Sequence, residues 1–340
     1  MRFAFTDEQL LFRDTVRDLL AKECSPAELR ACWDRGDARL PRAWVALTEI
    51  GVVGLCVPEA DGGMGADPID LVLLLEESGR AGLPDPLVET ALVAPALVGP
   101  EHRAAIARGE LTVAVVDELD GPGVDRANDV ANHGATADLV IHLELDRATV
   151  LERADLAAEP LPSVDGGRAV ARVSWPAGAG TTVPVGDARD RAVVGAAAQL
   201  IGLGDRMLAM TAEYVVERKQ FGVPIGSFQA VKHHLADALL ALEFARPAVY
   251  RAAQSLTTDD PWASRDSSMA KAMASDAATG VARAALQCHG AIGYTVEHDL
   301  HLFMKRAWAL SRAWGSARAH RARVADAVLD HDLLTDIPED

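Results

Sequence analysis

Arg218 has the most distinctive chemical surroundings in this chain. It closes an apolar-patterned helical stretch, 193–218, and precedes a turn carrying Gly222, Pro224 and Gly226, with Ser227 placed to cap the next helix. A guanidinium at a helix end, beside backbone N–H groups, suits a phosphate or pyrophosphate. The alternative is an ion pair for Arg218, with Phe221 and Phe228 in the core. A second candidate is Gln287, at the end of another helical stretch and followed by Gly290-Ala291-Ile292-Gly293. Glycines there let backbone amides approach a ligand closely. His289, His298 and His301 invite a metal reading with Glu297 adjacent, but no cysteine or carboxylate set completes a tetrahedral site, so no metal is expected. His233 and His234 point to different helix faces and read as solvated or capping groups. The acids near these stretches are Asp187, Asp190, Glu297 and Asp299.

Three regions must position these groups. Residues 1–110 read as an N-terminal helical domain, opening on a capping box at Thr6 to Gln9 with Phe5 and Leu10 as its hydrophobic staple. Gly62, Gly63 and Gly65 break this region within 57–68. Residues 111–185 carry short β-prone runs between Gly, Pro and Asp, the pattern of a reduced β domain, expected to be a small antiparallel sheet or barrel. No GxGxxG follows a strand, which argues against a dinucleotide fold of the doubly wound type. Residues 186–331 hold four stretches with helical periodicity, 193–218, 228–256, 262–290 and 300–329, the mark of a C-terminal four-helix bundle. An acidic tail, 332–340, is expected to fray.

The 340 residues are 49% hydrophobic, enough for a large core, and 33 basic against 50 acidic residues give a formal charge of −17. The basic residues form no block, which argues against nucleic acid and against a membrane surface as partner. Only five are lysines: Lys22, Lys219, Lys232, Lys271 and Lys305. The four cysteines form no CxxC pair and read as free thiols in a reducing compartment. No signal-peptide core and no stretch of about 18 uncharged apolar residues is visible, so a cytoplasmic location is expected.

Three stretches taken together, 57–80, 217–237 and 287–307, resemble the acyl-CoA dehydrogenase family, and the order helices, small β domain, helix bundle matches it. The resemblance implies FAD-dependent α,β-desaturation of an acyl-CoA thioester. In the family, the residues matching Arg218, Gln220 and Phe221 contact the FAD of a neighbouring subunit. Ile225 and Phe228 match positions on its adenine side. Gln287, Gly290 and Ala291 match a glutamine and glycine pair that contact the same cofactor, with alanine here in place of the second glycine. The family's catalytic base is a glutamate at one of two places, and the matching residues are Trp314 and Ala192, neither of which accepts a proton. The β region lacks the family's Thr-Glu-Pro and Lys-x-Trp-Ile segments, with 111–121 standing where the first would be. The pattern is similar to the degenerate subunit of actinobacterial heterotetrameric acyl-CoA dehydrogenases. It implies a non-catalytic chain that completes the FAD site of a catalytic acyl-CoA dehydrogenase paralogue in an α2β2 heterotetramer. The acyl-CoA, such as a steroid side-chain CoA ester, would then sit on the partner. Two alternatives stay open: a self-sufficient homomeric dehydrogenase using an acid such as Asp190, and a non-redox assembly protein on the same fold.

Overall fold

The Thr6 hydroxyl accepts from the Gln9 N–H at 3.2 Å, and the Gln9 side chain accepts from the Thr6 N–H at 2.8 Å. This closes the expected capping box on α1 (Asp7–Glu23). The same Gln9 donates to Asp70 at 2.7 Å, tying α1 to α4. The structure, a computed structural model, describes residues 4–117 and 129–329. The tail 332–340 and the end of the 111–121 stretch lie outside the described residues. The N-terminal helices are α1, α2 (Pro26–Arg35), α3 (Pro41–Glu49), α4 (Pro68–Ala81) and α5 (Pro100–Ala107), with a π-helical turn at Val88–Val93.

The β region contains two small sheets. One has the order β1-β3-β4-β7, from β1 (Val113–Asp117), β3 (Leu139–Leu143), β4 (Arg147–Glu152) and β7 (Thr181–Pro184). The other has the order β2-β6-β5, from β2 (Val130–Asn132), β5 (Ala157–Pro160) and β6 (Val170–Ser174). The expected antiparallel arrangement holds except at the core of the first sheet. There β1 and β3 run parallel, from Val113 opposite Leu139 to Asp117 opposite Leu143. Both are apolar nearly throughout and almost wholly buried, as parallel strands covered on two faces are.

The C-terminal helices are α6 (Ala188–Glu217), α7 (Gln229–Thr257), α8 (Ala263–His289), α9 (Leu300–Leu310) and α10 (Ala317–Leu329), with β8 (Lys219–Gln220) and β9 (Val223–Pro224) as a short hairpin after α6. The single helix expected over 300–329 is therefore two. Trp314 at φ +61 and Gly315 at φ +95 take left-handed backbone between them, which no helix continues through. A helix of the length and composition of α6 can cross a membrane, but 67% of its most apolar window is buried inside the protein.

One large core joins the two helical regions, and a smaller one fills the space around Ala114, Val116, Val140 and Val173. The helical regions meet where α4 crosses α6. A Cβ on Gly202 would lie 1.8 Å from the Glu76 carbonyl oxygen, and one on Gly79 would lie 2.1 Å from that of Gln199. Only glycine permits that approach. Arg246 then clamps the crossing by pairing with Glu76 and, at 2.9 Å, with both oxygens of Asp205. Arg306 on α9 secures the β region. It pairs with the buried Asp165 and donates to the carbonyls of Leu83 at 2.9 Å and Gly167 at 2.6 Å.

Candidate functional site

The Arg218 N–H caps α6 by donating to the Tyr214 carbonyl at 2.8 Å, and the Arg218 carbonyl accepts from the Ile225 N–H at the same distance. Between them β8 and β9 pair through a two-residue turn, Phe221 at φ +52 and Gly222 at φ +83. Positive φ at both central residues is the type I′ turn that matches strand twist. Glycine adopts it freely, whereas a bulky aromatic there carries local strain. Phe221 is nevertheless 93% exposed, and Phe228 crosses it edge-on with centroids 6.2 Å apart. Arg218 and Gln220 are also exposed, and Ile225 is half-buried. Among the described residues no carboxylate pairs with Arg218. The ion-pair-and-core alternative for Arg218, Phe221 and Phe228 is therefore not what forms. Ser227 differs from expectation: its hydroxyl donates to the Pro224 carbonyl at 2.7 Å, and Phe228 holds the N-cap position of α7. The tight turn leaves that hydroxyl closer to the preceding carbonyl than to the helix amides.

Tyr214 links this turn to the Gln287 stretch. Its ring stacks on His289 at 4.3 Å with 18° between planes, and its hydroxyl donates to the His289 carbonyl at 3.4 Å. Gln287 is exposed and lines a hollow of about 650 Å³ between α7 and α8. Gly290, at φ +64 and ψ −139, holds a backbone shape reserved for glycine. Ala291 has no positive φ, so its methyl group sits there without strain. His298 meets His289 edge-on at 4.5 Å, while His301 packs against Trp33. Among the described residues no group of three His, Cys, Asp or Glu is spaced to hold a metal.

The two positions that match a catalytic base in the resemblance lie elsewhere. Ala192 is fully buried in α6. Trp314 lines a cleft of about 280 Å³, together with Glu89, Asp117, Asn132, Arg168 and Arg312. Its loop is pinned from behind. The fully buried Lys271 of α8 donates to Ser275 Oγ at 3.1 Å and to the carbonyls of Gly315 and Ser311 at 3.2 and 3.3 Å. His320 of α10 donates through Nε2 to the Trp314 carbonyl at 2.7 Å. Burial pushes the His320 imidazole down to about 4. A neutral, buried imidazole stabilises the fold above its unfolded pKa, and the contribution drains away as pH falls toward the folded value. Between pH 6.5 and 5 we expect a loss of about 2 kcal/mol from this residue. Urea unfolding at the two pH values checks this, with His320→Asn flattening the difference.

The predicted acids are not in the cleft. Asp190 bonds Ser264, and burial raises its pKa. Asp187 pairs with Arg191 at 2.8 Å, Asp299 with Arg30 at 2.6 Å, and Glu297 is exposed. Two carboxylates do line the cleft: Asp117, paired with Arg189 at 3.1 Å, and Glu89, on the π-helical turn, its pKa raised by burial. Sequence reasoning missed Glu89. The available signal was a single charged residue within the otherwise uncharged run 86–98. Asn132 on the same wall has a buried Oδ1 without a hydrogen-bond partner.

Comparison with known proteins places these features. Residues 6–102 match the model of the acyl-CoA dehydrogenase N-terminal domain, and residues 189–329 match that of the C-terminal domain. The chain belongs to the acyl-CoA dehydrogenase family. That makes it a member of a family of flavoprotein oxidoreductases. Acyl-CoA dehydrogenase IpdE2 of Mycolicibacterium smegmatis is 33% identical over 323 residues, covering 94% of this chain and 98% of the relative. Among solved structures, the ChsE4–ChsE5 complex from Mycobacterium tuberculosis superposes with a TM-score of 0.87 at 23% identity, over 97% of this chain and 100% of that one. The Tcur3481–Tcur3483 steroid ACAD superposes with a TM-score of 0.85, also at 23% identity, over 95% and 98%. At that identity these two speak for the fold. In this acyl-CoA dehydrogenase, all seven strands of the two sheets lie between the two matched domains.

Proposed function

We propose that this acyl-CoA dehydrogenase chain is the non-catalytic subunit of an FAD-dependent heteromer that introduces an α,β double bond into an acyl-CoA thioester. In this reading Arg218, Gln220, Phe221, Ile225, Phe228, Gln287, Gly290 and Ala291 complete the FAD site of a catalytic paralogue in an α2β2 assembly in the cytoplasm. The observation that carries it is an asymmetry: the outward-facing set is present, with alanine at 291 as its one departure, while the base position in the chain's own cleft is Trp314. Arg218 is exposed and, among the described residues, pairs with no carboxylate, the state a pyrophosphate ligand must be in before it binds. Phe221 accepts a strained backbone in order to stand in solvent, which a core residue has no reason to do. The cleft at Trp314, about 280 Å³, falls just below the usual range of roughly 300–1,000 Å³ for ligand pockets. It is therefore tight for a flavin ring and an acyl chain together. Heteromeric similar structures, one of them a steroid ACAD, support a paralogue as partner and a bulky, steroid-type CoA ester as substrate.

When bound, FAD supplies the electron acceptor for the β hydrogen. This chain's part is to hold and shield the cofactor. The Arg218 fork neutralises pyrophosphate charge, the Gln287 amide offers donor and acceptor, Gly290 lets backbone come close, and Phe221 with Phe228 gives an aromatic cover. None of these groups removes a proton from the substrate.

Glu89 favours one second reading, in which the chain turns over acyl-CoA in its own cleft with a base outside the family positions. Two variants in the assembled heteromer separate the readings. Trp314→Ala and Glu89→Gln are both expected to leave kcat within about threefold, because neither group meets the reacting atoms. A fall of about a hundredfold or more for Glu89→Gln, with assembly and flavin content unchanged, is the signature of a lost general base and overturns the non-catalytic assignment.

A further inference from the structure

A second charged cavity lies where α1 ends and α2 begins. About 120 Å³ in volume, it is lined by Arg17, Glu77, Arg80 and Arg206, with Cys24, Phe303 and the first residues of α2. Glu77, the carboxylate among these, is already committed: it accepts from Arg17 Nε at 3.0 Å and Nη2 at 2.5 Å. Among the described residues neither Arg80 nor Arg206 has a carboxylate partner or a side-chain hydrogen bond. Arg206 stands 5.4 Å over the Phe303 ring, which supports one face of the guanidinium and leaves its N–H edge free. Burial, and then the charge of Arg80, pull the pKa of Arg206 down; Glu213 and Asp299 act on it more weakly in the other direction. Two guanidinium groups thus repel each other inside a partly desolvated cavity, in a chain whose formal charge is −17.

The position of Arg80 in the last turn of α4 is favourable for a cation. That accounts for Arg80 and gives no reason for Arg206 beside it. The one carboxylate on the cavity wall, Glu77, is taken up by Arg17. Ser25 and Pro26 bring the positive end of α2 to the same wall, and burial keeps the Cys24 thiol protonated. Three features therefore converge on one small space: two uncommitted forks, a helix N-terminus and a carboxylate already paired with another arginine.

We propose that this cavity is an oxoanion site, in which the forks of Arg80 and Arg206 hold one phosphate-sized group. At roughly 30 Å³ per water the space equals about four waters, enough for a tetrahedral oxoanion and too small for a nucleotide base. The occupant is either the free ion or a terminal phosphate whose carrier remains outside. The site is separate from the FAD surface and does not depend on the reading given for it.

Thermal unfolding of the full chain, in the assembly in which it purifies, tests this. Inorganic phosphate is titrated against chloride at matched ionic strength, with adenosine 3′,5′-bisphosphate as a third arm. The wild type is expected to show a saturable rise in Tm with phosphate. Arg80→Gln and Arg206→Gln should each need about tenfold more phosphate, or more, for the same shift. In chloride, Arg80→Gln should unfold close to wild type, since losing a like-charge neighbour offsets losing a cation at the end of α4, and this separates ligand loss from misfolding. Saturation by the bisphosphate at lower concentration assigns a phosphate of a larger ligand, and equal concentrations assign the free ion; both support the site. A linear, non-saturating response shared by wild type and both variants is general salt stabilisation and overturns it.

Discussion

Lys271→Met is expected to destabilise the chain by about 3–4 kcal/mol while preserving volume and apolar packing. The ammonium group is fully buried, and its desolvation is offset by donors aimed at Ser275 Oγ and the carbonyls of Ser311 and Gly315. Methionine fills the same space and donates nothing. The carbonyls of Ser311 and Gly315 then lose the ammonium as their donor, at about 1–3 kcal/mol for each buried group left unsatisfied. Relief from burying a charge works in the opposite direction, so the expected loss lies near the middle of that combined range. Urea midpoints measure it, and Trp314 fluorescence should report the loop loosening before global unfolding. A variant as stable as wild type would show that these carbonyls do not rely on Lys271.

On the proposed reading, Arg218→Ala is expected to have the second large effect, on cofactor retention instead of folding. The side chain is exposed and pairs with no carboxylate among the described residues, so its removal should change stability by less than about 0.5 kcal/mol. In the heteromer it should weaken FAD binding by about 10- to 100-fold, the loss of a charge-assisted contact of roughly 1.5–3 kcal/mol. Arg218→Lys should recover only part of this, since an ammonium restores the charge without the planar fork. Flavin absorbance after gel filtration reads both variants. Full retention by Arg218→Ala would separate this residue from the cofactor.

The sequence disclosed what depends on local chemistry. Thr6 and Gln9 announce a capping box, and apolar periodicity marks 193–218, 228–256 and 262–290 as helices. Gly222 and Pro224 mark the turn beside Arg218. Features set by distant partners were harder to read. The split at Trp314 and Gly315 is held by Lys271 from α8 and by His320, which reaches back from α10 itself, so residues 300–329 keep a helical pattern across a break. The parallel pairing of β1 with β3 follows from burial on both faces, which an apolar run reveals without naming its neighbour. Ser227 had two acceptable partners, and turn geometry chose the carbonyl. For the site, residue type and place at a helix end gave Arg218 and Gln287 as candidates, and the family resemblance added Phe221. Exposure, which a Phe in a sequence does not disclose, removed the core alternative. Glu89 stayed hidden because a carboxylate inside an apolar run looks the same whether it faces a cleft or solvent.

The central claim is that this chain lends half of a flavin site to another subunit. Flavin stoichiometry tests it most directly, with the chain purified alone and then co-expressed with an intact acyl-CoA dehydrogenase paralogue encoded nearby. The expected result is a colourless chain alone, and a yellow complex with one FAD for each pair of unlike subunits. A yellow chain carrying one FAD per polypeptide without any partner would contradict it.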